Sequence, residues 1–463
     1  MGLPMRPLTY AIAVVFTVVA GHPSEPSRPN LDHQHRLPGT QGQKGFGPLR
    51  FRADGTFHVS IFEDLHFGEN AWDAWGPQQD VQSVKVINTV LDSEPDIDLV
   101  VLNGDLITGD NTFLENSTDY VDQIVRPFAD RGLTWASTYG NHDNHFNISG
   151  AHILERERRW PNSRTTQMVS IPDAHTGVSN YYLPVYPADC DPDSLSPPCP
   201  PKLLLWFFDS RGGFHYQQRD PATGALVPLP NWVDARVVDW FTRTNTDLVS
   251  STTPPGTPTP IPALAFVHIP PDASRTLQAR GIHPHREPGI DDDRPLARQA
   301  QGWCADGSLP PPSPSSDEEE EGDCEYGGQD APFLDALAST PGMMALFSGH
   351  DHGETWCARW EGLTGEGGEG EGVGEGEVRG GSEGDGLNLC FGQRSGYGGY
   401  GRWIRGARQV VVSLEGLAER VVETYIRLES GETVGAVTLN ATYGQDWYPA
   451  TPNDKTRLPT GDD

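Results

Sequence analysis

Residues 98–105 read DLVVLNGD, and their reading decides the fold. Leu99, Val100, Val101 and Leu102 form an apolar run too short for a stable helix and rich in strand formers. A run with no polar member suits a strand buried on both faces. It stops at Gly104, where a residue without Cβ lets the backbone turn tightly. Asp105 is thereby aimed at whatever lies beyond the strand end. The pattern repeats on either side. Upstream, 57–62 (FHVSIF) is an apolar strand that delivers Asp64 and His66. Downstream, 133–139 ends at Gly140-Asn141-His142. Between these strands, Val81, Val84, Ile87 and Leu91, and then Tyr120, Ile124 and Phe128, recur at helical spacing. The order is β-α-β-α-β with a polar group at each carboxyl tip. In open α/β sheets that is where ligands bind.

Further strands follow the same rule. The run 202–208 (KLLLWFF) is strongly apolar, and 233–244 is helical with Val237, Val238 and Phe241 on one face. Residues 262–267 (PALAFV) deliver His268, and 343–347 (MMALF) deliver Gly349-His350-Asp351-His352. Terminal strands are predicted at 387–391, 409–414 and 423–428. The expected fold is α/β (α+β): two mixed sheets packed face to face, with helices outside.

Seven side chains at these strand ends carry metal-ligand chemistry: Asp64, His66, Asp105, Asn141, His268, His350 and His352. Carboxylate, imidazole and carboxamide suit Mn, Fe or Zn. Asp64 and His66, two residues apart on extended chain, point the same way. The two oxygens of Asp105 can bridge two metals, and Asn141 supplies a neutral carbonyl oxygen. An Asp-x-His or a Gly-Asp alone is ordinary loop chemistry. The conjunction, in order and each at a strand end, predicts two adjacent divalent metals. That is a device for hydrolysing phosphate esters.

The order D-x-H, G-D, G-N-H, H, G-H-x-H resembles the calcineurin-like metallophosphoesterase superfamily. Within it, 62–68 (FEDLHFG), 103–109 (NGDLITG), 389–401 (LCFGQRSGYGGYG) and 405–411 (RGARQVV) resemble the purple-acid-phosphatase-related branch of fungi and plants. The resemblance covers about residues 50 to 430. It implies a four-layer αββα sandwich. It also implies that Asp64, His66, Asp105 and His352 hold one metal, and Asp105, Asn141, His268 and His350 the other. His142 would stand near the leaving-group oxygen as general acid, and Asp143 would orient a neighbouring imidazole. Purple acid phosphatases place an iron-ligating Tyr three residues after the bridging Asp, and protein-phosphatase relatives an Asp. This chain has Thr108 there. No purple colour is expected, and His142 lacks that candidate partner. Arg211 and Arg394 are read as surface side chains. Tyr397 and Tyr400 are assigned to a turn-rich loop beside the metals, structural before substrate-lining.

Composition sets the setting. The 463 residues carry 33 basic and 64 acidic side chains, a formal charge of -31, which repels nucleic acid and anionic membranes. Residues 1–20 read as a signal peptide: Arg6 precedes the apolar run YAIAVVFTVVA, which is too short to span a membrane. Residues 21–50 read as an unstructured leader, 51–446 as the catalytic domain, and 447–463 as a tail. Acidic, Gly- and Pro-rich insertions at about 305–323 and 361–386 cannot bury enough apolar surface to order themselves. Six cysteines suit an oxidising compartment, with pairs expected in sequence order: 190–199, 304–324 and 357–390. Sequons at Asn116, Asn147 and Asn440 agree with secretion. The expected function is a secreted phosphomonoesterase using metal-activated hydroxide on a small phosphate ester, outside the cell or in a vacuole or wall. A phosphodiesterase would use the same site. A non-catalytic acidic binding protein is the alternative from another class.

Overall fold

The computed structural model describes residues 47–170, 176–190, 199–252, 259–294, 296, 300–303, 326–362 and 386–458. The signal peptide, nearly all of the leader, both acidic insertions and the 304–324 pair fall outside them.

One sheet has seven strands: β1 (Leu49–Arg50), β5 (Tyr181–Tyr186), β6 (Leu203–Phe208), β9 (Ala263–Val267), β10 (Met343–Ser348), β12 (Leu387–Phe391) and β11 (Cys357–Trp360), in that order across it. The other has six: β15 (Thr433–Leu439), β14 (Val422–Leu428), β13 (Gly406–Ser413), β2 (Thr56–Phe62), β3 (Leu99–Asn103) and β4 (Trp135–Thr138). A small hairpin, β7 (Phe214–Arg219) with β8 (Leu226–Pro228), stands apart. Both large sheets are mixed. β2, β3 and β4 run parallel, and so do β6, β9, β10 and β12. Around these, β11, β13, β14 and β15 pair antiparallel with their neighbours, as does β5 with β6, whereas β1 at the outer edge pairs parallel with β5.

Alternation along each strand builds the layers. Leu203, Leu205 and Phe207 of β6 join Phe57, Val59 and Ile61 of β2 in the core between the sheets. Leu204, Trp206 and Phe208 face the other way, against α4 (Ala235–Thr252) and the helix Ala331–Ser339 through Val237, Phe241 and Phe333. On the second sheet, Phe62, Val100 and Leu102 pack on α1 (Gly76–Ser93), α2 (Asp119–Asp130) and α3 (Gly150–Glu157). The uninterrupted apolar runs are thus strands covered on both faces. The result is the expected four-layer αββα sandwich.

Several details differ from the sequence reading, among them two covering helices, Gly150–Glu157 and Ala331–Ser339, that it did not foresee. Val81 is 56% exposed, because the buried face of α1 runs through Ser83, Val86, Ile87, Val90 and Leu91. Six strands escaped notice: β5, which contains Pro184, and β15, which contains Gly435, carry residues that weaken strand signals, β1 and β11 are only two and four residues long, and β7 and β8 form the small separate hairpin.

Cys190–Cys199 and Cys357–Cys390 are disulfides, as expected. The second joins directly opposed residues of β11 and β12. Among the described residues, no helix is long and apolar enough to cross a membrane.

Candidate metal centre

All seven ligand candidates lie just past the carboxyl end of a strand. Asp64 and His66 follow β2, Asp105 follows β3, Asn141 follows β4, His268 follows β9, and His350 and His352 follow β10. The loops are laced together by backbone bonds. The amides of Asp64 and His66 donate to the carbonyls of Gly104 and Asp105, at 3.1 and 3.0 Å, and that of Gly349 to His268 at 3.0 Å. Four of the seven occupy left-handed backbone: Asp64 (φ 50°), His66 (φ 48°), Asp105 (φ 47°) and His350 (φ 75°). Each such residue costs on the order of 1–3 kcal/mol and persists only where its surroundings hold it. Gly104, at φ 89°, is obligatory on two grounds: a Cβ there would lie 2.5 Å from the His268 ring.

The side chains converge into two groups. Asp64, His66 and His352 bring ligand atoms within 4.8 Å of one another, and so do Asp105, His268 and His350. Asp105 links them: its Oδ2 is 3.0 Å from His268 Nε2 and 3.8 Å from His66 Nε2. Asn141 is buried beside Asp105, whose Oδ1 accepts from the backbone N–H of His142 at 2.8 Å.

The donor set fits cations. Asn141 Oδ1, His268 Nε2 and His350 Nε2 are buried without a hydrogen-bond partner. His268 Nε2 is close to Asp105 but not aligned to donate to it. An unmet buried polar atom costs about 1–3 kcal/mol, so three in one place call for a partner. Second neighbours fix the imidazoles. His268 Nδ1 donates to Asn103 O at 2.9 Å and His352 Nδ1 to Tyr400 O at 2.8 Å, which leaves both Nε2 lone pairs facing inward. His352 Nε2 lies 3.1 Å from His66 Nε2. Thr108, at the position of the purple enzymes' Tyr, puts its Oγ1 3.1 Å from His66 Nδ1.

The electrostatics agree. Burial drives His66 well below the usual histidine range and His350 down to about 3, so both are neutral ligands at neutral pH. Burial also opposes charge on His268, yet Asp105 and Asp64 push it up to about 10. Those carboxylates demand positive charge at His268 Nε2, and a divalent cation would meet that demand in place of the proton.

His142 belongs to neither of those two groups, although its ring nitrogen also comes within 4.8 Å of ligand atoms of His66 and Asp105. Its side chain is 39% exposed, its ring lies 4.9 Å from that of His66, and its Nδ1 is 3.6 Å from Asp110 Oδ1. Against burial, Asp105 and Asp110 raise it to about 9. Sequence reasoning missed Asp110. It sits two residues past the family position, on a short turn (Gly109–Asn111) whose first amide donates to His142 O. Only the fold brings the pair together.

Other expectations need correction. Asp143 orients no imidazole: its carboxylate accepts from the backbone N–H groups of Leu106, Ile107 and Gly140 at 2.9–3.0 Å, clamping two ligand loops. Arg394 is not on the surface. It is buried, and its guanidinium donates to the carbonyls of Gly396, Gly398, Gly399, Tyr400 and Gly401. Arg211 is buried as well, bonded to Trp232 O and Asp234. The loop caged by Arg394 packs on the centre. A Cβ on Gly399 would lie 2.6 Å from His352 and 2.8 Å from His66. Tyr400 stacks on His352 at 4.1 Å, whereas the Tyr397 hydroxyl donates to Glu429.

The sequence profile described as calcineurin-like phosphoesterase matches residues 61–354, which hold all seven ligand candidates. The chain belongs to that family. It is 24% identical over 382 residues to an Arabidopsis thaliana protein named probable inactive purple acid phosphatase 29, covering 79% of each chain. A second Arabidopsis relative, probable inactive purple acid phosphatase 28, is 24% identical, with 82% of this chain and 83% of that one covered. Among solved structures, a dimetal phosphatase from Danio rerio superposes with a TM-score of 0.44 at 12% identity, over 83% of this chain and 99% of that one.

Proposed function

We propose that this phosphoesterase-family chain is an active, secreted hydrolase of small phosphate monoesters that works with two divalent metals, drawn from Mn, Fe and Zn. The carrying observation is the position of Asp105 Oδ2 between the two ligand groups, at 3.0 Å from His268 Nε2 and 3.8 Å from His66 Nε2. In this reading Asp64, His66, Asp105 and His352 hold one metal, and Asp105, Asn141, His268 and His350 the other. All seven positions retain competent side chains, which favours turnover in this chain although its relatives carry "inactive" in their names.

When bound, a metal pair supplies charge neutralisation at the phosphate and a water-derived nucleophile at neutral pH. The chain's own residues do the rest. The clamp of Asp143 on two ligand loops fixes the distance between the groups. His142, with Asp110 Oδ1 3.6 Å from its Nδ1 to favour the protonated ring, donates its proton to the departing alcohol oxygen. Asp110 holds the imidazole toward that oxygen.

Secretion is supported by the apolar run after Arg6, the two disulfides and the sequons. The net charge of -31 disfavours long polyanions such as nucleic acid as substrates. The test is hydrolysis of an aryl phosphate monoester and the matching diester by the secreted protein, with Mn, with Zn and after chelation. Chelator-sensitive turnover that favours the monoester is expected. Preference for the diester would make the chain a phosphodiesterase, and metal-loaded protein without turnover would contradict catalysis.

A further inference from the structure

Two loops leave the metal centre side by side, and their tips expose apolar side chains. One follows His66 and runs through Glu69, Trp72 and Trp75. The other follows Thr108 and runs through Asp110, Phe113 and Leu114. Their roots are paired: Phe67 N–H donates to Leu106 O, and Thr108 N–H donates to Phe67 O, both at 3.0 Å. The Glu69 carboxylate accepts from the amide of Gly399, the glycine packed on the His66 and His352 rings. The tips meet as well. The Trp72 and Phe113 rings lie 6.2 Å apart, edge to face. Trp72, Trp75, Phe113 and Leu114 are 43–58% exposed.

Single exposed apolar residues need no explanation, but four on two adjoining loops form a patch. Its place is set by the chain. Phe113 is three residues beyond Asp110, the partner of His142, so the two Cα atoms are separated by at most about 11 Å. Trp72 stands equally far along from Glu69. The patch therefore lies within reach of the His142 edge of the centre.

We propose that Trp72, Trp75, Phe113 and Leu114 form the leaving-group subsite and take the apolar part, aryl or alkyl, of the ester's alcohol. This rests on the reading of the centre as a phosphoesterase site with His142 at the leaving oxygen. The substituent on that oxygen begins at His142 and continues away from the metals, past Asp110, onto the Trp72–Phe113 pair. Apolar area is buried there and the aromatic faces stack. A polyol alcohol gains little from these four side chains. The preferred substrates are thus aryl or alkyl phosphates, not sugar phosphates.

The test uses non-hydrolysable ligands, so that it reads binding apart from turnover. Phenylphosphonate and methylphosphonate are titrated calorimetrically into the full metal-loaded chain, wild type and the double variant Trp72→Ala/Phe113→Ala. Both residues are exposed, so no core is lost, and metal stoichiometry verifies the site. Wild type should prefer phenyl by about tenfold or more, the scale of apolar-pocket discrimination. The variant should lose most of that preference, while Trp447→Ala, on the C-terminal segment, should keep it. Equal affinities in the wild type, a preference that survives the double variant, or no binding by a chain holding two metals would overturn the subsite. So would sedimentation with phosphatidylcholine vesicles that depends on Trp72 without any phenyl preference, since the patch would then be a membrane face. A phenyl preference without ester turnover would overturn the phosphoesterase reading and with it the leaving-group assignment, while the four side chains would remain a site for an apolar group.

Discussion

Asp105 and Asp110 divide the work of the site between them. Asp105 reaches toward both ligand groups, so Asp105→Asn should lower bound metal and abolish nearly all turnover; metal analysis beside steady-state assay checks both. Asp110 acts through His142. In the proposed mechanism the imidazole works as an acid, its folded-state value is raised, and activity should therefore fall as pH rises through that value. Removing the negative charge with Asp110→Asn should move the alkaline limb of kcat/KM to lower pH by about one to three units, the usual effect of one nearby opposite charge. An unmoved limb would mean that Asp110 does not tune His142. The ligand candidates were legible because all but His268 belong to short motifs at strand ends, and His268 was picked out by its place in their order. Asp110 was not, since a turn residue acquires its partner only from the fold. Arg394 misled for a related reason: its acceptors are carbonyls of the glycine-rich loop that follows it, and a caged arginine has no local signature.

Elements position these residues with little tolerance. Gly399 presents bare backbone at φ 72° to the His66 and His352 rings. Gly399→Ala should displace that pair and weaken metal retention at least tenfold, measured by competition with a chelator; unchanged retention would show that the loop gives way. Helix α1 offers a test remote from the ligands. Burial pushes the Asp80 carboxyl up to about 7, while its Oδ1 accepts from Gly68 N–H at 3.1 Å. The folded chain then keeps a proton that the unfolded chain releases, so stability falls as pH rises from about 4 to about 7. Asp80→Asn keeps an acceptor for Gly68 and removes the titration. Its thermal advantage should widen across that window and level off above it, toward a ceiling of about 4 kcal/mol. An advantage flat with pH would refute the assignment. Helix spacing found α1 but chose Val81 for the buried face, where Ser83 sits. Small polar residues pack where a helix meets loops, and periodicity counts only apolar ones.

The whole molecule is two mixed sheets whose parallel strands direct their carboxyl ends to one place. Runs such as LLLWFF mark strands covered on both faces, whereas the four layers are implied by the family resemblance. Strands at or next to the sheet edges that are short or carry proline or glycine did not announce themselves, because they are specified by pairing more than by composition. The disulfide between β11 and β12 closes a loop of 33 residues across the glycine- and glutamate-rich insertion. Replacing both cysteines by Ala should lower stability by about 3–4 kcal/mol on the chain-entropy account, read by denaturant unfolding. A loss below about 1 kcal/mol would show that strand pairing alone secures this edge. The central claim concerns the pair of metals, and stoichiometric reconstitution tests it most directly. Metal-free protein is titrated with Mn while aryl phosphate hydrolysis is followed. Turnover should rise until about two equivalents are bound and then hold constant. Saturation at one equivalent, or two bound metals with no hydrolysis, would contradict it.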